Sequence, residues 1–200
     1  GLPTKQEQSD LNAMIYGTHG EIPKIVLAPA TIEDCFYDTI EAFNLAEKYQ
    51  CPVILLTDLQ LSLGKQTSEL LDFSQVKIER GKLVANPEPR GSAEDDLLFL
   101  RYEFTEDGIS PRVFPGTKHG LHHVTGVEHD EEGRPSEKAA NRKRMMEKRL
   151  RKLQHVEVRE PIRVDAPHDR ADVLVIGMGS TGGTIDEARA RAEQDGIKTN

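Results

Sequence analysis

The feature that most constrains the fold of this 200-residue chain lies between Ile22 and Asp58, where two apolar runs flank an amphipathic stretch. The first run covers residues 24–28 and ends before Pro29, and the second covers residues 53–57. Neither run alternates apolar with polar residues, and strands of that kind are buried on both faces of a parallel sheet. The pattern therefore predicts an α/β fold in which the two runs are neighbouring parallel strands.

The stretch between the runs predicts a helix over residues 32–49 that packs across both strands. Thr31, followed by Asp34, has the spacing of a capping box at the start of this helix. Apolar residues then recur at spacings of four and three, which is typical of the buried stripe of an amphipathic helix. The predicted stripe consists of Ile32, Phe36, Ile40, Phe43 and Ala46.

Composition excludes several classes of protein. Only 36% of the residues are apolar and 30% are charged, which indicates a surface that another chain covers. The net charge of −8 disfavours nucleic acid as a general partner. The sequence shows no signal peptide and no apolar run long enough to cross a bilayer, so we expect no membrane partner and a cytoplasmic location. Cys35 and Cys51 are too few for a disulfide framework and are predicted to be core thiols.

The chain opens with Gly1, Leu2, Pro3 and Thr4 and has no initiating Met, so we expect it to be a segment of a longer protein. Thr4 and Glu7 have the spacing of a capping box at the start of a helix. The free amides at a helix N-terminus also suit an anionic ligand. Capping and ligand binding are therefore two open hypotheses for Thr4.

Residues 59–106 carry weaker patterns. We expect a helix over residues 63–72, a hairpin over 76–84 and a strand over 97–104. Asp58, just before this region, ends the second predicted strand at the edge where parallel sheets keep their binding sites. Capping of the following turn is the more common role for such a carboxylate.

Residues 107–135 form a long irregular stretch that is rich in Gly, Pro and His. Loops of this length inside a compact chain are usually functional or disordered. A metal site is disfavoured, because His122 and His123 are adjacent and no regular spacing brings three ligands together. Two hypotheses stay open: the loop lines a site for an anionic organic molecule, or it packs against another subunit.

The segment 136–155 predicts a basic helix with Ser136 as its N-cap. Its thin apolar stripe consists of Ala139, Met146, Leu150 and Leu153. Basic side chains cover the other faces, which indicates either contact with nucleic acid or membrane, or pairing with acidic stretches of the same protein. The acidic total favours the second interpretation.

A linker precedes residue 171, and residues 172–176 predict a buried strand that begins a new unit. The glycine-rich turn Gly177–Gly183 follows and leads into a helix with Ile185 and Ala188 on its inner side. The pattern G-x-G-x-x-G between a strand and a helix is typical of dinucleotide-binding folds, but such a site also needs an acidic residue after the next strand. That position lies beyond Asn200, so the nucleotide hypothesis stays open on the residues alone.

Longer motifs occur in order along the whole chain. They are Gly-Leu-Pro-Thr at 1–4, His-Gly-Glu at 19–21, Ile-Val-Leu-Ala-Pro at 25–29, Ala-Phe-Asn-Leu-Ala-Glu-Lys-Tyr at 42–49, Gly-Ile-Ser-Pro-Arg at 108–112, Pro-Gly at 115–116 and His-His-Val-Thr-Gly-Val-Glu-His-Asp at 122–130. Together they resemble the alpha subunits of the 2-oxoacid:ferredoxin oxidoreductases of the 2-oxoglutarate synthase type. The agreement of several motifs at once makes the resemblance specific.

The resemblance implies an enzyme subunit that takes part in the CoA-dependent oxidative decarboxylation of a 2-oxo acid, with 2-oxoglutarate favoured. The products would be an acyl-CoA and CO₂, with electrons passing to ferredoxin. Thiamine diphosphate would supply the carbon chemistry. In this family the beta subunit would hold most of the thiamine diphosphate and Mg²⁺ site together with an iron–sulfur cluster, and CoA would be a co-substrate.

The same resemblance implies two domain pieces. Residues 1–165 would be the end of a pyrimidine-type thiamine-diphosphate-binding domain with an irregular extension and the basic helix. Residues 170–200 would be the start of a transketolase C-terminal-like α/β domain, in which the glycine-rich turn is structural.

The implied substrate-binding element is Thr4 together with Gly1, Leu2 and Pro3, the last four residues of a family pocket motif that reads Arg-x-Gly-Pro-Ser-Thr-Gly-Leu-Pro-Thr. The Arg of that motif and the Glu that activates the aminopyrimidine are expected upstream, so we expect the chain to be inactive alone. A possible site loop contains Arg112, His122 and His123, with no metal assigned. The alternative to an enzyme subunit is a non-enzymatic α/β interaction module that uses the basic helix 136–155.

Overall fold

The computed structural model describes residues 5–90, 98–159 and 162–200. Over these ranges the fold consists of short helices and strands joined by long irregular segments. The elements in chain order are α1 (Ser9–Tyr16), β1 (Ile25–Leu27), α2 (Ile32–Tyr49), β2 (Val53–Leu55), α3 (Leu59–Leu63), a 3₁₀ helix (Phe73–Gln75), α4 (Ala139–Arg151), a second 3₁₀ helix (Gly179–Thr181) and α5 (Gly182–Gln194). None of these helices is long and apolar enough to cross a membrane.

The predicted strand–helix–strand unit is confirmed. β1 and β2 are adjacent and parallel, with Ile25 opposite Val53 and Leu27 opposite Leu55. The Thr31 hydroxyl accepts a hydrogen bond from the Asp34 amide at 3.0 Å, and the Asp34 carboxylate accepts one from the Thr31 amide at 3.0 Å. This capping box starts α2 where the sequence predicts it, so a single crossover helix links the two strands.

The buried face of α2 differs from the predicted stripe. Phe43 is 72% exposed, whereas Leu45 is 2% exposed and Tyr49 is also buried. Leu45 lies two residues beyond Phe43, which is about 200° around a helix with 3.6 residues per turn. The helix has apolar residues on two sides, and the side with Leu45 and Tyr49 packs in the core against Ile25 and Ile109. The prediction that Phe43 faces inward is therefore wrong.

Neither thiol belongs to this buried core. Cys35 and Cys51 are both free and half-buried. Cys51 packs against the buried cluster, where burial raises the pKa of its thiol. The prediction of core thiols is thus too strong for both residues.

The helix near the chain start begins later than predicted. α1 starts at Ser9, and its N-cap residue is Gln8, which makes no side-chain capping bond. The Glu7 amide donates to the Asp10 carboxylate at 2.8 Å. Thr4, the other member of the predicted capping box, lies outside the described residues.

The region after β2 is less regular than predicted. The helix expected over 63–72 is wrong, since α3 ends at Leu63. Leu83 forms an isolated parallel bridge with Arg112 in place of the expected hairpin over 76–84, and residues 98–104 form no strand. Long-range pairing with the loop around Arg112 replaces the local pairing that the sequence suggested.

The basic helix is confirmed, although its ends and its buried face differ. α4 covers Ala139–Arg151 and its N-cap residue is Lys138, so Ser136 is not its cap. The Ser136 amide donates to the Glu128 carbonyl at 2.9 Å. Its buried residues are Met145 and Lys148, whereas Ala139 and Leu150 are exposed. The apolar stripe is therefore displaced from the predicted one.

The strand expected over 172–176 is reduced to an isolated bridge between Val173 and Thr199. Leu174 and Ile176 are exposed, so the prediction of a buried strand is wrong for the described structure. The glycine-rich turn does lead into a helix, α5, with Ile185 half-buried. Ala188, which we expected on the inner side, is exposed.

Candidate functional site

Backbone hydrogen bonds order the irregular stretch 107–135 and connect it to the residues before it. The Phe99 amide donates to the Leu121 carbonyl at 2.7 Å, and within the stretch the His123 amide donates to the Glu132 carbonyl at 3.0 Å. Gly133, whose φ is +87°, lies so close to the His123 carbonyl that no space is left for a Cβ atom. The predicted site loop is therefore folded back on itself and paired with the segment around Phe99.

Glu128 fastens this loop to α4. Its carboxylate accepts bonds at 2.6 and 3.0 Å from Arg149 and a bond at 2.6 Å from Arg142. Burial opposes its charged form, but the hydrogen bonds from Arg149 and Arg142 prevail and lower the pKa of Glu128 to about 2. A bidentate Arg–carboxylate pair also fixes orientation, so the loop has a defined position on the helix.

The loop histidines have separate environments. The Nδ1 atom of His122 is 2.7 Å from the Gly120 carbonyl, and that of His129 is 3.0 Å from the Val127 carbonyl. The ring centroids of His129 and Tyr102 are 4.1 Å apart. His123 is exposed. Among the described residues, no group of three His, Cys, Asp or Glu side chains could hold a metal ion.

Arg112 contacts two other segments of the chain. Its guanidinium forms an ion pair with Glu47 of α2 and donates to the Arg80 carbonyl at 2.9 Å. The side chain is mostly buried. Glu47 connects the loop to the C-terminal half of α2, and Arg80 connects it to the segment that follows β2. Arg112, His122 and His123 thus occupy one folded stretch, but each has its own partners there.

Most basic residues of α4 contact other residues of the same chain. Lys148 is 4% exposed and donates to the Tyr102 carbonyl at 2.7 Å, while Lys152, the residue that follows the helix, donates to the Gln50 carbonyl at 2.7 Å. Burial lowers the pKa of Lys148 to about 7 and that of Lys152 to about 8, with neighbouring positive charges adding to the effect. This arrangement favours the interpretation that the helix pairs within the same protein.

Sequence reasoning missed these buried lysines and the role of Glu128. The one available signal for Lys148 is its position three residues after Met145, on the same face of the helix. Glu128 lies in the motif at 122–130, but nothing in the sequence distinguishes its role from that of Asp130 in the same motif. The predicted substrate-binding residues Gly1, Leu2, Pro3 and Thr4 lie outside the described residues.

A cleft of about 460 Å³ lies between α2 and residues 75–79 and 157–159. Two ion pairs border it, from Lys48 to Glu157 at 3.4 Å and from Arg159 to Asp38 at 3.6 Å. Its walls therefore carry both signs of charge, and its lining does not include the predicted loop residues.

Comparisons with known proteins agree with the resemblance seen in the motifs. The sequence model of the family described as pyruvate flavodoxin/ferredoxin oxidoreductase, thiamine diphosphate-binding, matches residues 1–148. The chain is 44% identical over 190 residues to the alpha subunit of 2-oxoacid:ferredoxin oxidoreductase 1 from Sulfurisphaera tokodaii, covering 92% of this chain and 29% of that protein. It is 34% identical over 199 residues to the 2-oxoglutarate oxidoreductase subunit KorA of Mycobacterium tuberculosis, covering 99% of this chain and 29% of that one.

A solved structure is similar over the entire chain. It is the 2-oxoglutarate:ferredoxin oxidoreductase from Magnetococcus marinus with 2-oxoglutarate, coenzyme A and succinyl-CoA bound. The TM-score is 0.82 at 39% identity, covering 100% of this chain and 33% of that one. The chain thus spans about a third of the length of these relatives. With an α/β fold built on a parallel sheet, it belongs to the alpha subunits of the 2-oxoacid:ferredoxin oxidoreductases, a family of enzyme subunits, and carries sequence of their thiamine diphosphate-binding domain.

Proposed function

We propose that the chain is part of a subunit that takes part in the CoA-dependent oxidative decarboxylation of a 2-oxo acid, with 2-oxoglutarate as the favoured substrate. The observation that carries this proposal is the 39% identity, over the whole chain, to an oxidoreductase with 2-oxoglutarate, coenzyme A and succinyl-CoA bound. Loss of CO₂ and of two electrons converts 2-oxoglutarate to a succinyl group, which CoA accepts, and the two electrons pass singly to ferredoxin. The bound molecules of that relative are therefore the substrate, co-substrate and product of one reaction.

The proposed cofactors are thiamine diphosphate with Mg²⁺, held mainly by a beta subunit that also carries an iron–sulfur cluster. When bound, thiamine diphosphate would stabilise the carbanion that decarboxylation leaves. Within the described residues no three ligand side chains are arranged for a metal ion. Asp58, at the carboxyl edge of the sheet, already accepts hydrogen bonds from two backbone amides. This part of the chain does not fit the Mg²⁺–diphosphate group, so we derive no step of the reaction through it.

The proposed partners are the beta subunit, ferredoxin through the complex, the 2-oxo acid and CoA, in the cytoplasm. The proposed domain pieces are residues 1–165, from the pyrimidine-type domain, and 170–200, from the transketolase C-terminal-like domain. Within the first piece we propose that Thr4, with Gly1, Leu2 and Pro3, lines the 2-oxo acid pocket. We propose the loop with Arg112, His122 and His123 as a further part of this site. Of these three side chains, His123 is the exposed one.

The test of this proposal is substrate choice in the intact two-subunit enzyme with Thr4→Ala and Thr4→Leu. If Thr4 touches the variable end of the substrate, the ratio of kcat/KM for 2-oxoglutarate to that for pyruvate changes. One methyl-sized contact is worth about 1–3 kcal/mol in such a ratio, or roughly ten- to two-hundred-fold. Thr4→Ser keeps the hydroxyl and removes only the methyl group, so comparing it with Thr4→Ala separates the methyl contact from the hydroxyl contact. An unchanged ratio in both test variants, with a loss of thermal stability alone, would remove Thr4 from the pocket.

A further inference from the structure

Asp58 joins two parts of the chain that are 122 residues apart in sequence. One carboxylate oxygen, Oδ1, accepts a hydrogen bond from the Leu61 amide at 2.9 Å and so caps α3. The other oxygen, Oδ2, accepts a hydrogen bond from the Ser180 amide at 2.7 Å. The carboxylate therefore bridges the carboxyl end of β2 and the glycine-rich turn before α5.

Gly179 shows how closely this turn approaches the sheet. Its φ is +63°, a conformation that L side chains rarely adopt, and an added Cβ atom would lie 2.7 Å from Asp58 Oδ2. The same Cβ atom would lie 4.0 Å from the carbonyl oxygen of Pro29, which follows β1. The turn thus lies at the carboxyl ends of both strands.

The bridge involves a charged carboxylate. Burial opposes the charge of Asp58, but hydrogen bonds from Leu61 and Ser180 outweigh it and hold the pKa of the carboxyl below its ordinary value. In glycine-rich turns that bind phosphate, backbone amides face the bound anion. Here the Ser180 amide faces a carboxylate of the same chain instead.

We propose that Asp58 is a positioning residue that holds the glycine-rich turn Gly177–Gly183 against the carboxyl edge of the β1–β2 sheet. The turn then serves as a docking element, which sets where α5 lies relative to the strand–helix–strand unit. This inference rests on the hydrogen bonds of Asp58 and on the space around Gly179, and it is independent of the proposed enzymatic activity.

The first variant is Asp58→Asn in the intact enzyme. Asn is as good an N-cap residue as Asp, so its one carbonyl oxygen still caps α3. The amide nitrogen then takes the place of Oδ2 and presents a donor to the Ser180 amide, which is also a donor. The measurement is hydrogen exchange of the Ser180 amide, followed by mass spectrometry of a peptide across the turn. We expect at least about tenfold faster exchange, with exchange in α2 unchanged.

The second variant, Gly179→Ala, places a Cβ atom in the close contact between the turn and Asp58. Its matched control is Gly182→Ala, three residues further along the chain. Gly182 has right-handed helical backbone angles, φ −53° and ψ −54°, and nothing lies within 4 Å of an added Cβ atom. Gly182→Ala should therefore leave exchange in the turn unchanged or slower, while Gly179→Ala should increase it in the same region as Asp58→Asn. The melting temperature of the enzyme verifies that the variants are folded.

The proposal is overturned if exchange at Ser180 in folded Asp58→Asn equals that of the wild type. Equal effects of Gly179→Ala and Gly182→Ala would overturn it as well, since the close approach to Asp58 would then not decide the position of the turn. Because Asp58→Asn adds no non-hydrogen atoms and keeps the cap, it decides the question even if Gly179→Ala fails to fold.

Discussion

At the scale of single residues, Glu128 offers a direct test of how the irregular loop is held on α4. Its pKa of about 2 lies below the ordinary 4.5 because Arg149 and Arg142 stabilise its charged form against the effect of burial. A carboxyl group with a lowered pKa contributes stability above its unfolded pKa and loses it as the pH falls through the folded value. Each pKa unit corresponds to about 1.4 kcal/mol, so Glu128 contributes up to about 3 kcal/mol at neutral pH.

We expect Glu128→Gln to lower the free energy of unfolding at pH 7 by up to about 3 kcal/mol. The difference from the wild type should shrink as the pH falls from about 4.5 towards 2, the window between the two pKa values. Denaturant titrations at several pH values measure it.

The matched control for this measurement is Glu132→Gln. Glu132 lies in the same loop and pairs at 2.9 Å with a single partner, the half-exposed Arg134. Exposed pairs of this kind contribute about 0–1 kcal/mol. A loss in Glu128→Gln no larger than in the control, or one that does not depend on pH, would contradict the assigned role of Glu128.

Single-residue roles were the least predictable from the sequence. The capping residues Thr31 and Asp58 were predicted, because capping depends on neighbours within a few positions. The partners of Glu128, Lys148 and Arg112 lie many positions away, and the sequence contains no local pattern for contacts of that range.

At the scale of elements, α2 carries one large apolar side chain that is buried, Leu45, and another that is exposed, Phe43. Leu45→Ala should lower the free energy of unfolding by about 2–5 kcal/mol, since it removes a fully buried side chain and leaves a cavity. Phe43→Ala removes a larger side chain from the same helix, yet Phe43 is mostly exposed. Its cost should be within about 0.5 kcal/mol, as for most surface substitutions.

Thermal or denaturant unfolding of both variants measures this difference. A larger loss for Phe43→Ala than for Leu45→Ala would mean that the originally predicted stripe is the buried one and that the helix is rotated about its axis. Such a result would also mean that Leu45 does not pack in the core against Ile25 and Ile109.

The elements themselves were predictable to different degrees. β1 and β2 follow from two continuous apolar runs, and α2 follows from its apolar periodicity and capping box. The order, type and parallel pairing of these elements are confirmed. The expected strands over 97–104 and 172–176 rested on short apolar runs alone, and such runs need a partner to become strands. In the described structure, residues 98–104 pair by scattered backbone bonds with the loop, and Val173 makes a single bridge.

At the scale of the whole molecule, the family was identified from several motifs together and from their order along the chain. The motif at 122–130 falls in the loop that Glu128 fastens to α4, and the motif at 108–112 ends at the Arg112–Glu47 ion pair. Both motifs therefore include residues that hold the irregular stretch in place. Substrate contacts proposed for Thr4 depend on residues outside the described ranges and could not be derived from the fold.

The most direct test of the proposed function is turnover by the intact two-subunit enzyme that contains this chain, loaded with thiamine diphosphate and Mg²⁺. The assay follows ferredoxin reduction and acyl-CoA formation with 2-oxoglutarate, and it omits CoA, ferredoxin or the beta subunit in turn. The account predicts succinyl-CoA and reduced ferredoxin in the complete mixture, a higher kcat/KM for 2-oxoglutarate than for pyruvate, and no product in any omission. Absence of turnover with every 2-oxo acid in the fully loaded enzyme, or equal product formation without CoA, would contradict it.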